Sequence, residues 1–342
     1  MDRWYSKKLA SRLRNLLAIF FVLFVGTYAY AWKVLARDPL TVPNAEYTVY
    51  VAPGTTLKQF TQQLNVSGLL SHPRLMRVYL MYKSKSHKIK AGEYAVDQGM
   101  TALQLLDRIF AGTVTQYSFT IVEGWQTAQL ISALQQHPKI KATLGGDSEQ
   151  IINTLNIPVT HLEGVFLPDT YFFTAFTTDA EFLRRAYFGM EQALGQAWEE
   201  RDTHCILKSP YEALILASII EKETSLKDEY AAISGVYTRR LRNKMKLQAD
   251  PTVIYALQDQ LAGPLLRKHL KLDSPYNTYR YTGLPPTPIA LPSAAAIKAA
   301  LHPATGNSLY FVATGNGDGA HIFSATLKDH NKAVKKLYSQ RN

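Results

Sequence analysis

The sequence predicts an α+β protein with a single N-terminal transmembrane helix, a small α+β module and a larger mixed α+β domain. Three observations carry this reading. Leu16 to Trp32 is an apolar run without a charge. Strand-like alternation and helical period then follow in the order strand, helix, helix, strand before the composition turns richer in aromatics. Finally, 342 residues with 46% hydrophobic content supply apolar side chains for two cores.

Taken in order, residues 1–15 are a short tail and residues 16–32 the span. As a helix the run would cover roughly 26 Å at about 1.5 Å per residue, close to the hydrocarbon thickness of a bilayer. The tail carries Arg3, Lys7, Lys8, Arg12 and Arg14 against Asp2, while the far side opens with Lys33 and Arg37 offset by Asp38. The positive-inside rule therefore places the tail in the cytoplasm and residues 33–342 outside it. A cleaved signal peptide is the competing reading, because Ala29-Tyr30-Ala31 resembles a small-residue cleavage site. Tyr28, Tyr30 and Trp32 instead suit the interfacial belt of a retained helix.

Cys205 is the lone cysteine, so no disulfide can form within the chain and stability must come from packing. The formal net charge of +11 points to an anionic partner such as cell-wall polymer or lipid headgroups. Export and the lack of any zinc-finger spacing or RNA-binding aromatic signature argue against nucleic acid.

Residues 33–45 hold two prolines and little periodicity, as a linker would. The module occupies residues 46–115. Glu46 to Ala52 alternates as a strand, Pro53-Gly54 turns, and Thr55 is expected to cap a helix with Leu57, Phe60 and Leu64 on one face. A second helix runs from about His72 to Tyr82, followed by a basic stretch from Lys83 to Lys90. Ala91 to Val96 returns as a strand, and Thr101 starts a helix that ends near Gly112. This is the outline of a small carbohydrate-binding module of the LysM type, although the pattern alone favours the alternative of a generic α+β spacer.

Residues 116–342 form the larger domain. A strand through Val122 leads into Glu123-Gly124-Trp125 and a helix from Thr127 to His137. Ser209-Pro210-Tyr211-Glu212 has the form of a capping box with proline at the first helical position. The helix it starts ends at Glu223, which shares a stripe with Leu216, Ile219 and Ile220. A buried acid there would keep its proton near neutral pH, the condition of a general acid. The bland alternative is a buried ion pair with Arg239, Arg240 or Arg242. Glu221, roughly 200° around the helix from Glu223, is expected to be structural.

Downstream, Gln248 and Asp250 precede a proline-initiated helix, where Asp250 would commonly be an N-cap. Asp273 to Tyr279 and Gly283 to Ile289 form a proline-rich loop whose Tyr276 and Asn277 could stack on and hydrogen-bond sugar rings. Leu309 to Ala313 and Ala320 to Ser324 read as a hairpin before a last helix. His321 and His330 are too unevenly spaced for a zinc motif, and no nucleophile elbow or phosphate-binding loop occurs.

Several of these stretches occur in fixed order. They are Ala217-Ser218-Ile219-Ile220-Glu221-Lys222-Glu223-Thr224, Leu247 through Tyr255, Pro275-Tyr276-Asn277-Thr278-Tyr279, and Gly283-Leu284-Pro285-Pro286. Leu162-Glu163-Gly164, Leu167-Pro168-Asp169-Thr170-Tyr171, Tyr310-Phe311-Val312 and His321-Ile322-Phe323 extend the pattern over nearly the whole chain. Together they resemble the endolytic murein transglycosylases, or YceG-like proteins. The resemblance implies an inner-membrane anchor with its N-terminus in the cytoplasm, a LysM-like module and a periplasmic catalytic domain. It further implies that Glu223 is the catalytic acid of a lyase, without a cofactor, that cuts MurNAc–GlcNAc bonds within nascent peptidoglycan strands. The products would be 1,6-anhydro-MurNAc ends, strand elongation would stop there, and peptidoglycan synthases would be possible partners. Gln248, Asp250, Tyr276 and Asn277 are expected to line the cleft. Two alternatives remain open, a hydrolase using two carboxylates and a membrane-tethered, non-catalytic glycan-binding scaffold. Thr287 and Ser293 stand where glycine is more usual in the family, which puts the loop's backbone shape in question.

Overall fold

The apolar run is the outer part of a long helix, α1 (Asp2–Trp32), in a computed structural model that describes residues 2–44, 47–82, 89–261 and 263–341. Leu16, Phe20, Phe21 and Phe24 are more than half exposed and find no protein partner. Among the described residues Ser11–Arg37, which continues this helix, is the one helical stretch long and apolar enough to cross a membrane. By contact the chain divides into two units, Met1–Tyr117 and Ser118–Asn342.

In the first unit the stretch after the span is ordered, contrary to the linker expected from its prolines. Lys33–Arg37 forms a π-helical turn, and Leu40 N donates to Met100 O at 2.7 Å. Leu35 and Leu40 enter the module's core beside Met100, Leu105 and Leu106. Their burial outweighs the weak local signal, since each side chain removed from water contributes about 1.5–3 kcal/mol.

Strand β1 (Tyr47–Val51) pairs antiparallel with β2 (Gly92–Val96), with Val49 opposite Tyr94. Helices α2 (Leu57–Val66) and α3 (Pro73–Tyr82) lie between them in sequence, and α4 (Ala102–Ala111) follows. The cap of α2 is Thr56, not Thr55. Thr56 accepts from Gln59 N in a complete capping box, while the Thr55 hydroxyl donates to Ala52 O. Thr101 caps α4 in the same way, and Gly112 ends it in the left-handed conformation at φ 76°. Glu46, and Lys83 to His87 with Lys88 of the expected basic stretch, lie outside the described residues.

Beyond the module β3 (Gln116–Thr120) pairs with β5 (Thr170–Thr174). Between them come α5 (Thr127–Gln136), the short β4 (Ile140–Lys141) and α6 (Ser148–Leu155). β4 runs parallel to β6 (Thr177–Thr178), which leads into α7 (Asp179–Glu199). Asp179 is fully buried, and its carboxylate accepts from Thr143 N, Thr143 Oγ1 and Leu144 N. Among the described residues every strand pairs with a single partner, so this larger unit is organised by helices rather than by a central sheet.

Its axis is α8 (Pro210–Glu223), packed by α7, α9 (Tyr230–Arg242), α10 (Asp250–Leu257) and α11 (Ala294–Leu301). Every residue from Ala213 to Ile220 is buried, so the helix is enclosed all round rather than along one stripe. Ser209 caps it, accepting from Glu212 N at 3.2 Å, while the Glu212 carboxylate turns to Lys208 N instead of closing the box. An antiparallel hairpin, β7 (Tyr310–Ala313) with β8 (His321–Ser324), and helix α12 (Leu327–Arg341) complete the chain.

Candidate active site

Enclosure of the middle of α8 leaves its two ends to meet solvent, the first turn at Tyr211 and the last turn, where both of its late carboxylates sit. Glu221 is consumed by structure. Its Oε1 accepts from the Tyr230 hydroxyl at 2.8 Å, and its Oε2 accepts from Ser293 N at 2.9 Å and Ser293 Oγ at 2.6 Å. Ser293 also caps α11 from an ordinary extended conformation, φ −70°. Thr287 likewise uses its hydroxyl, donating to Pro288 O and meeting the Tyr276 hydroxyl at 2.8 Å. Neither position has a positive φ. The loop therefore keeps its shape without glycine at these two sites.

Glu223 is the final residue of α8 and is half-buried. Its Oε1 accepts from the hydroxyl of Tyr237, one α9 face away and buried. The carboxyl is pushed up to about 7. Burial is the main cause, opposed by the Tyr237 bond and the charge of Arg240 and reinforced by the negative charge of Asp250. The helix C-terminus, with its unpaired carbonyls, disfavours a carboxylate as well. Tyr237 is itself raised far above its ordinary value, first by burial and then by the Glu223 charge, so it remains a donor.

No arginine salt bridge reaches Glu223 among the described residues. Arg239 donates to Ser308 O and Ala304 O. Arg240 donates to Leu309 O, Lys246 O and Leu247 O and reaches Gln248 Oε1 at 3.3 Å. Arg242 is exposed. The ion-pair alternative is thus replaced by a tyrosine–carboxyl pair with a guanidinium held nearby by backbone carbonyls.

Asp250 is the first residue of α10 but is not its cap. Ala249 takes that position, and the exposed Asp250 carboxylate accepts from the Tyr279 hydroxyl at 2.5 Å. Gln248 is exposed in the left-handed region, φ 53°, with its amide N bonded to Thr278 O. Gln248, Asp250 and Glu223 therefore belong to one cluster with Tyr237, Tyr279 and Arg240.

Asn277 does not face a cleft. It is fully buried, its Nδ2 donates to Leu270 O and Leu272 O, and its Oδ1 accepts from Tyr279 N. It knots the loop that presents Tyr279. Tyr276 lies elsewhere, in a second cavity of about 600 Å³, its ring 5.0 Å from that of Tyr255. That cavity also holds Glu163, whose carboxyl accepts from Thr127 N and the Tyr255 hydroxyl and is raised by burial.

The cleft beside Glu223 has a volume of about 660 Å³. The Val122–Gly124 turn forms one wall, Pro168–Thr170 another, and Glu221–Ser225 the floor. Gly124 fixes that turn: it adopts φ 75°, its N donates to Leu291 O, and its O accepts from Lys222 Nζ at 3.1 Å. Among the described residues no three His, Cys, Asp or Glu side chains converge to hold a metal ion.

The sequence marks Arg240 only as one of three possible ion-pair partners of Glu223, and it does not single out Tyr237 or Tyr279. Tyr279 stands inside a motif that it does mark, but Tyr237 lies fourteen residues beyond Glu223 on another helix, with no local signal to mark it.

A carboxyl raised by burial and bonded by a buried tyrosine at the edge of an open cleft makes Glu223 a candidate acid–base group, and among the described residues one apolar helix supports anchoring of the protein in a membrane. A profile of the YceG-like family matches residues 49–336. The chain is similar to the endolytic murein transglycosylase of Bacillus subtilis, at 31% identity over 93% of this chain and 91% of that protein. The endolytic murein transglycosylase of Streptococcus pneumoniae matches at 26% identity over 90% of this chain and 62% of its own length. The crystal structure of a yceG-like protein from Listeria monocytogenes superposes with a TM-score of 0.54 at 28% identity, covering 84% of this chain and 98% of that one. The chain belongs to the YceG-like, or endolytic murein transglycosylase, family.

Proposed function

We propose that this protein is a membrane-anchored endolytic transglycosylase that cleaves MurNAc–GlcNAc bonds within nascent peptidoglycan strands, leaving 1,6-anhydro-MurNAc ends and stopping elongation. The observation that carries the proposal is Glu223, raised to about 7 at the cleft edge with Tyr237 donating to one oxygen. A carboxyl raised toward neutrality by burial can hold its proton near neutral pH and still release it, which suits it to give a proton and take one back.

In the first step the Glu223 carboxyl, its proton on the oxygen not bonded to Tyr237, protonates the departing glycosidic oxygen. The carboxylate then accepts the proton of the muramyl 6-hydroxyl as that oxygen closes on C1. No water enters the products, and the enzyme returns to its protonated form. The Tyr237 hydroxyl steadies the carboxylate between steps, and Asp250, held by Tyr279, keeps Glu223 from ionising early. Gln248 and Asp250 line the substrate path, Tyr276 contributes from the second cavity, and Asn277 shapes the loop.

Asp250 also keeps a second chemistry in view, because hydrolysis by paired carboxylates needs a second acid near the first. Residues 46–115 serve as a LysM-like glycan-binding module, with the tail cytoplasmic, the folded chain periplasmic and a synthase supplying the strand. Digestion of purified sacculi tests the proposal: anhydro ends support it, reducing ends indicate a hydrolase, and uncut glycan indicates a binding scaffold.

A further inference from the structure

Helix α3 turns an unpartnered apolar face outward. Met76 and Leu80 are buried in the module, whereas Val78 and Met81 are each 66% exposed. Positions 74, 78 and 81 share one helical stripe, so Arg74 extends this face toward the N-terminus of α3. Exposed apolar residues beside basic side chains are the pattern of a helix lying in a membrane interface, where long cations reach up to the headgroups.

Two further observations fix what covers this face. The first is position. His72, immediately before α3, meets the Tyr30 hydroxyl at 3.0 Å through Nε2, with the two rings 5.7 Å apart. Tyr30 lies in the last turn of the apolar helix, where an interfacial aromatic is expected. One end of α3 is therefore tied to the place where the span leaves the bilayer, and the π-helical turn with Leu35 in the core leaves little slack between span and module.

The second is charge. From Tyr47 to Gly92 the sequence contains no Asp or Glu, but it contains Lys58, Arg74, Arg77, Lys83, Lys85, Lys88 and Lys90. Such a segment complements a surface of anionic lipid headgroups.

We infer that the outer face of α3 lies on the same bilayer that α1 spans, with Val78 and Met81 in the headgroup region and Arg74 against anionic lipids. The inference concerns the anchoring unit and is independent of the chemistry at Glu223.

The test uses the full chain with Cys205→Ser and Met81→Cys, labelled at position 81 with an environment-sensitive fluorophore. It is reconstituted in phosphatidylcholine vesicles with or without phosphatidylglycerol, each containing nitroxide-labelled lipid. The expected result is strong quenching in the anionic vesicles that is lost when Val78→Asp is added. Because Val78 is exposed, that change leaves the core intact. Absence of quenching in the anionic vesicles would overturn the inference, and equal quenching in both vesicles would overturn its requirement for anionic lipid.

Discussion

Replacing Glu223 by glutamine should stabilise the protein at neutral and alkaline pH while leaving its stability in acid unchanged. The carboxyl has an ordinary value of 4.5 and is raised to about 7 in the fold. Below about pH 4.5 it is protonated in the folded and unfolded chains alike, so nothing is lost. As pH rises the unfolded chain ionises first, and the native state falls behind until its own carboxyl ionises near 7. At about 1.4 kcal/mol per pH unit the full cost above that point is about 3 kcal/mol, a ceiling because the side chain is only half-buried. Glutamine keeps an acceptor for Tyr237 and carries no charge. For a unit of this size the gain corresponds to a rise in Tm of roughly 6–10 °C. Melting of the detergent-solubilised chain and its Glu223→Gln variant at about pH 8 and about pH 4 measures the difference. A gain at the higher pH that vanishes at the lower is the expected pattern. A loss of stability at the higher pH would refute the reasoning, since it would mean that the carboxylate is paired and stabilising.

Tyr237→Phe removes a bond that favours the ionised acid, worth about 1.5–3 kcal/mol, so the Glu223 titration followed by carbon NMR should move up by about 1–2 pH units. Asp250→Asn removes a negative charge and should move the same titration down, because that charge raises Glu223. Gly164→Ala should lower Tm sharply, since Gly164 adopts φ 82° and an added Cβ would stand 2.4 Å from Pro288 Cβ. Asn277→Ala leaves the Leu270 and Leu272 carbonyls without their donor; a cost of about 1–3 kcal/mol and faster proteolysis of the loop are expected.

The elements set by local chemistry were readable in advance. Ser209 and Pro210 announce α8, Thr101 and Gly112 bracket α4, and the hairpin before α12 follows from alternation around glycines. The end of α8 was readable as well, and with it Glu223. What escaped depends on contacts between distant segments. Tyr237 reaches Glu223 from the next helix, and Arg240 is held by carbonyls near residues 247 and 309, which no local period encodes. Asn277 looked like a binding residue because a buried amide and an exposed one have the same letter; only the closing of the loop on Leu270 and Leu272 assigns it to structure. The segment after the span misled for a similar reason. Its prolines masked Leu35 and Leu40, which acquire their meaning only when the module's core is there to receive them.

The central claim is that Glu223 alone supplies the acid and then the base of a non-hydrolytic cleavage. Purified sacculi digested with the chain and with its Glu223→Gln variant, and the products weighed by mass spectrometry, test it directly. The account predicts internal cuts ending in 1,6-anhydro-MurNAc with the native chain and none with the folded variant. Reducing ends, or anhydro ends undiminished by Glu223→Gln, would contradict it.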